Sequence, residues 1–336
     1  MKILVTGGGG FLGRYIVDGL LLKGHRVVAF QRRAHPELEA RGVEVVRGSL
    51  GERESLTRAL QGCDAVVHTA AKAGVWGLRK DFFEINHEGT RNVCDCMQAQ
   101  GIQKLVYCST PSVVFNGEAF EGADESLPYG RNWLCHYAES KALAEEHALQ
   151  WGRSGHGKVI ALRPHLIWGI GDPHLLPKVI QRSRAGRLRI IGDGNNRVDI
   201  SRVENVAAAH LLALEALDRP SAVNRPYFIS QGEPVRLWEW INSLLRKVDV
   251  PVLQKKISLS AAYRIGAVCE GLWALAQRQS VPPMTRFVAV ELAKSHWFSI
   301  EAARRELGYR PEDFPIEEGM DCYAKAWLEG NTPEEA

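Results

Sequence analysis

Tyr137 and Lys141 stand four residues apart in Tyr137-Ala138-Glu139-Ser140-Lys141, a segment that reads as helix and runs on through Leu143, Ala144 and Ala148. An i, i+4 pair shares one helical face, so a phenol and an ammonium become neighbours there. That pairing suits proton transfer, with the phenol as acid or base and the ammonium favouring its ionised form. A phenol with a reference pKa near 10 needs about 4 kcal/mol of differential stabilisation to act as a base near neutrality. Upstream, the hydroxyls of Ser109 and Thr110 close an apolar run and could orient a carbonyl oxygen. A third chemical feature opens the chain: Gly7, Gly10 and Gly13 recur at three-residue spacing, and Gly8, Gly10 and Gly13 satisfy G-x-G-x-x-G. Positive φ and a missing Cβ let such a backbone approach a pyrophosphate while the next helix aims its N–H groups at the anion.

These groups need elements to hold them. Ile3, Leu4 and Val5 read as a buried parallel strand that breaks at Thr6-Gly7 into a helix starting near Phe11-Leu12. Leu12, Ile16 and Leu20 then repeat at four-residue steps, and Gly24 closes the helix. A second strand, Val27 to Phe30, ends in Gln31-Arg32-Arg33. An acidic residue about 20 positions after the glycines would accept hydrogen bonds from ribose hydroxyls; Gln31 stands there instead, and the two arginines can meet a 2′-phosphate. The predicted cofactor is therefore NADP(H). Strands at Val43 to Val46, Ala65 to Thr69, Leu105 to Cys108 and Val159 to Leu162 alternate with helices at Glu52 to Leu60 and at a segment containing Asn86 that runs to about Ala99. This alternation predicts an α/β fold, a Rossmann-type doubly wound parallel sheet, with ligands beyond the carboxyl ends of the strands. His68, Ala70 and Ala71 fall at one such end, where small residues let the backbone lie against a cofactor.

The 336 residues allow two lobes: an NADP-binding domain over 1–165 with return elements from about 195–230, and a smaller, irregular substrate-binding lobe over most of 166–330. Helices are expected at Leu175 to Ala185, Val203 to Leu217 and Leu237 to Val248, with a short strand at Tyr227 to Ile229. Leu259 to Ala276 is too broken by charge to span a bilayer; core packing, a lid and an interfacial helix in peripheral membrane contact are its open readings. Composition is ordinary, at 45% hydrophobic and 24% charged with a mean hydropathy of -0.18, and a net charge of +3 points to no nucleic acid. Nothing resembling a leader precedes the first strand, so a cytoplasmic location is expected. Seven cysteines, none in C-x-x-C spacing, suggest reduced thiols rather than disulfides or a metal site.

Thr6 to Gly13, His68 to Ala71, Asn86 to Val93, Ser109-Thr110, Tyr137-x-x-x-Lys141 and Arg163 to Asp172 together resemble the extended short-chain dehydrogenase/reductase family over nearly the whole chain. Ser109 to Phe115 and Gly192 to Asp199 resemble its 3β-hydroxysteroid and sterol-4α-carboxylate dehydrogenase branch. Ala70 to Gly77, His174 to Pro177 and Tyr263 to Glu270 are similar to bacterial 2-alkyl-3-oxoalkanoate reductases of the long-chain olefin pathway. The resemblance implies Tyr137 as proton donor, Lys141 holding the nicotinamide ribose, Thr110 with Ser109 as its alternate on the carbonyl, and Asn86 positioning the lysine through water. It also implies cofactor contacts at Ser49, Leu50 and Pro164, and a homodimer. Two positions depart from the family: Ser49 replaces an adenine-contacting aspartate, and Leu166 replaces the asparagine that nucleotide-sugar members use. Leu166, with Trp76, Trp168 and Trp273 in segments expected to flank the pocket, favours an apolar 3-oxo substrate. The open alternatives are a 3β-hydroxysteroid or sterol dehydrogenase, a nucleotide-sugar epimerase or dehydratase, and an NADP-sensing protein without activity.

Overall fold

The short apolar runs become strands because the sheet they form is covered on both faces. β1 (Lys2–Thr6), β2 (Arg26–Gln31), β3 (Glu44–Arg47), β4 (Ala65–His68), β5 (Lys104–Cys108), β6 (Lys158–Pro164) and β7 (Arg225–Ile229) build one sheet. Their order is β7-β6-β5-β4-β1-β2-β3, and every neighbouring pair is parallel. Side chains alternate between faces. Ile3 and Val5 face α1 (Phe11–Leu22) across one core, whereas Leu4, Val28 and Val66 meet α2 (Arg53–Leu60), α3 (Gly89–Ala99) and α4 (His136–Arg153) across the other. A further helix, α5 (Val203–Ala216), joins α1 on its face before the chain returns as β7. The order reverses between β1 and β4, which opens the crevice where ligands bind in such sheets. The computed structural model describes residues 1–331.

Beyond β6 a second body of structure gathers around Trp168, Trp238, Trp240, Ile241 and Tyr323. It contains α6 (Leu237–Lys247), α7 (Leu259–Leu275), α8 (Arg286–Glu291) and α9 (Ile316–Leu328). A small sheet of Val235–Arg236, Arg197–Val198, His296–Phe298 and Phe120–Ala123 lies beside them. Trp168 corrects an expectation: it has no exposure and packs edge-on to Trp240 at 5.5 Å between centroids, so it belongs to this core and not to a pocket wall. The α7 helix divides along its length. Ala262, Gly266 and Glu270 turn inward, while Ile265, Val268, Leu272 and Leu275 are exposed. A Cβ on Gly266 would fall 2.7 Å from the Thr285 carbonyl carbon, so only glycine permits this approach to α8. Among the described residues, no helix is long and apolar enough to cross a membrane. All seven cysteines are unbridged.

One ion pair fastens α4 to the sheet. The Arg163 guanidinium on β6 meets the Glu145 carboxylate at 2.5 and 3.0 Å, both side chains are buried, and the Tyr129 hydroxyl donates to the same carboxylate at 2.9 Å. Removing one partner strands the other charge in the core, whereas replacing both with apolar groups of similar volume does not. Glu145→Leu is therefore expected to lower unfolding free energy by about 3–5 kcal/mol, and Glu145→Leu/Arg163→Met to recover most of it, as read by urea denaturation.

Candidate active site

Where β1 ends, the chain turns so tightly that side chains are excluded. Gly7 has φ of +72°, and its carbonyl oxygen accepts the Gly10 N–H at 2.9 Å. A Cβ on Gly13 would lie 2.1 Å from that same oxygen, and one on Gly7 would lie 3.1 Å from the backbone of Ala70. The start of α1 at Phe11-Leu12 thus faces the turn directly. Thr6 ties the turn to β4: its hydroxyl accepts the Ala70 N–H at 3.2 Å and shares a hydrogen bond of 2.6 Å with His68 Nδ1. The His68 ring is wholly engaged in structure, bonded through Nε2 to Thr90 at 3.1 Å, and burial pushes it down to about 3. Ala71 beside it is exposed. Leu50 is buried against Gly89, Ser49 brings its N–H within 3.4 Å of the Glu52 carboxylate, and Pro164 is buried where β6 ends.

The end of β2 suits an anionic dinucleotide. The Gln31 Oε1 accepts the Gly9 N–H at 2.6 Å, while its buried Nε2 has no partner and is a free donor beside the turn. Arg32 and Arg33 are exposed and make no ion pair with any described residue. Arg47 lies opposite Gln31 in the β2–β3 register, and Arg14 donates to the Gly9 carbonyl at 3.0 Å. His35 also reaches the turn, since a Cβ on Gly9 would meet its Nε2 at 2.5 Å. Sequence reasoning passed over His35, Arg14 and Arg47; the cue was a basic cluster on both sides of Gln31.

Tyr137 and Lys141 do share one face of α4, but they reach different partners. The Lys141 ammonium is buried, donates to the Cys108 carbonyl at the end of β5 at 2.6 Å, and lies 4.2 Å from the Tyr107 ring centroid. Burial lowers it to about 8, against the opposing pull of Cys108 and Glu145. Tyr137 is raised above the ordinary phenol value, first by burial and then by the Cys108 thiol, with hydrogen bonding to the Thr110 hydroxyl drawing it partly back. A buried ammonium needs an acceptor, and the strand-end carbonyl supplies it. Thr110 also caps the following turn through the Ser112 N–H at 3.3 Å, whereas the buried Ser109 hydroxyl has no partner. Asn86 sits in a π-helical turn, Phe83–Glu88, a geometry that recurs at functional sites. Its amide brackets Lys72, accepting the N–H at 2.7 Å and donating to the carbonyl at 3.0 Å, and it donates to the Ser140 hydroxyl at 2.9 Å. It thus directly meets Ser140, the residue before Lys141.

An open cleft of about 730 Å³ adjoins this constellation, lined by Phe115, Leu134, Leu259, Tyr263, Arg264 and Lys294 among others. Tyr137 packs in the same apolar cluster as Phe115, Leu134, Leu259, Tyr263 and Val290. Neither Trp76 nor Trp273 lines the cleft: the Trp76 indole donates to the Arg278 carbonyl at 3.0 Å, and Trp273 is overlain by the Arg278 guanidinium. These walls come from segments far apart in sequence, and no local pattern marks them. Leu166 packs against the C-terminal core with φ of 42°, a left-handed conformation that is strained for leucine and easier for asparagine. Among the described residues one trio, His165, Glu291 and His296, is arranged as metal ligands are. Its ring nitrogens are already bonded, His165 Nε2 to His296 Nδ1 at 2.6 Å and His296 Nε2 to the Glu291 carbonyl at 2.7 Å.

A parallel sheet with a glycine turn, a Tyr-Lys helix face and a hydroxyl beside the tyrosine is the framework of a nicotinamide-dependent oxidoreductase. Residues 4–260 match the 3-beta hydroxysteroid dehydrogenase/isomerase family, and the chain belongs to it. It is 48% identical to a 2-alkyl-3-oxoalkanoate reductase of Stenotrophomonas maltophilia, over 95% of this chain and 97% of that one. A protein of the same name from Shewanella oneidensis is 44% identical over 94% and 84% of the two chains. The fold is shared with the NAD complex of UDP-glucuronic acid 4-epimerase from Bacillus cereus, with a TM-score of 0.75 and 21% identity over 98% and 100% of the chains.

The lowered Lys141 value has a defined consequence for stability. The folded state holds this proton less tightly than the unfolded chain, whose lysine titrates near 10.5, so burial of the charge costs stability in full below about pH 8. The cost is relieved as pH rises from about 8 toward 10.5. Lys141→Met should gain stability over the wild type at pH 7, and the gain should shrink across that window, as followed by denaturant unfolding at several pH values.

Proposed function

We propose that the protein is an NADP(H)-dependent reductase that converts an apolar 2-alkyl-3-oxoalkanoic acid to the 3-hydroxy acid, with Tyr137 as proton donor. The observation that carries this reading is the apolar cleft whose walls pack in one cluster with Tyr137. The relatives at 48% and 44% identity, named for this substrate class, support it, as does an apolar Leu166 kept at a backbone position that strains it. When bound, the nicotinamide supplies hydride to the carbonyl carbon or takes it from the alcohol. The remaining work falls to the chain. Thr110 donates a hydrogen bond to the carbonyl oxygen, and Tyr137 delivers the proton as charge develops there, so ketone, hydride and proton give the secondary alcohol. Asn86 and Ser140 brace the helix turn that bears Lys141, whose ammonium holds the cofactor ribose and favours ionised Tyr137 in the oxidative direction. Gln31, Arg32 and Arg33 receive the 2′-phosphate, with the Gln31 Nε2 as a free buried donor.

Two outcomes test the assignment. Tyr137→Phe keeps the ring and removes the proton, so turnover should fall by about a hundredfold or more while cofactor affinity stays near that of the wild type. A homologous series of long-chain 2-alkyl-3-oxo acids should show kcat/KM rising by about fourfold per added CH₂ until the cleft is filled, with NADPH favoured over NADH by about ten- to a hundredfold. Turnover of 3-oxosteroids or sugar nucleotides in place of the acids would reject the substrate.

A further inference from the structure

A 3-oxo acid differs from a 3-oxosteroid in one respect that a protein can read: it carries a carboxylate two bonds from the reacting carbon. Whatever holds that carboxylate must belong to an element touching the Tyr137 cluster. The α7 helix does so through Leu259 and Tyr263. Two cationic side chains line the cleft, Lys294 and Arg264. The Lys294 ammonium is already engaged, donating to the Gly117 carbonyl at 2.6 Å and pairing with Glu118 at 3.1 Å. Arg286, across the α7–α8 contact, is likewise taken, with its Nε on the Glu270 carboxylate at 2.6 Å. Arg264 is exposed and has neither an ion pair nor a hydrogen bond with any described residue. It stands between Tyr263, in the Tyr137 cluster, and Ile265 on the outer face of α7. A free guanidinium on the rim of an apolar cleft has the planar fork that carboxylates take in two parallel hydrogen bonds.

We propose that Arg264 is the specificity residue that binds the substrate carboxylate and makes the cleft select 3-oxo acids over uncharged 3-ketones. The proposal rests on the substrate reading above. Because 3-oxo acids lose CO₂ readily, the test is run in the oxidative direction, with NADP and a 2-alkyl-3-hydroxyalkanoic acid beside its methyl ester. For Arg264→Gln the KM of the acid should rise by about ten- to a hundredfold while that of the ester moves by less than about threefold. Arg264→Lys, which keeps the charge and loses the fork, should fall between the two. An unchanged melting temperature and cofactor KM would show that the variants fold. If the wild type oxidises the acid and Arg264→Gln leaves its KM unmoved, or shifts acid and ester equally, Arg264 does not bind the carboxylate and the proposed function stands without it. If the wild type oxidises neither acid nor ester, the proposed function falls and this inference with it.

Discussion

One face of α4 carries two buried charges, and much of the site depends on where they are held. Tyr137, Lys141 and Glu145 follow at four-residue steps, so they form a single stripe along the helix. Each reaches a different part of the sheet's carboxyl edge: Thr110 after β5, the Cys108 carbonyl at its end, and Arg163 on β6. Ser140, beside the stripe, extends the bracing to Asn86 and through it to the backbone of Lys72. A buried ammonium or carboxylate without its partner costs several kcal/mol, so these contacts fix the rotation and height of α4 more sharply than apolar packing could. The proton transfer proposed for Tyr137 would need its side chain held to within about 0.5 Å, a constraint of the kind this stripe supplies.

The features legible in the sequence were those with a local cause. A strand breaking into glycines before a helix gave the turn, and the structure supplies the reason in the 2.1 Å clash that a Cβ on Gly13 would make with Gly7. Alternating apolar runs gave the seven strands to within a residue or two, because burial on both faces leaves a continuous apolar signature. What escaped was non-local. Arg163 and Glu145 are 18 residues apart and pair only once β6 and α4 are side by side. The π-helical turn that aims Asn86 has no periodic signal. Trp168 was misplaced because a tryptophan after β6 is equally compatible with a pocket wall and with a second core, and only the pairing with Trp240 decides between them.

The α7 helix shows why composition left three readings open. Its inward side is short, with Gly266 drawn against α8 and Glu270 bound to Arg286, and its outward side shows aliphatic residues to solvent. A helix buried all round and one lying on a surface share this average hydropathy. Their difference lies in which residues face the neighbour, and here a glycine and a carboxylate share the inward side with Leu259, Ala262 and Tyr263.

The arginines around β2 bear on the cofactor by a similar argument about unmet charge. Arg32, Arg33 and Arg47 are exposed, lie near one another at the ends of β2 and β3, and have no acidic partner among the described residues. Other lysines have acidic partners, as Lys104 and Lys158 have Asp218 and Lys247 has Asp321. Gathered like charges repel one another and are modestly destabilising where screening is incomplete. An acidic residue at position 31 would have relieved that repulsion and served an unphosphorylated ribose. Glutamine leaves it in place, with one amide oxygen holding the glycine turn and one amide nitrogen free. Under the proposed NADP assignment, a ribose bearing a phosphate dianion would meet the free donor and cancel the surplus charge together.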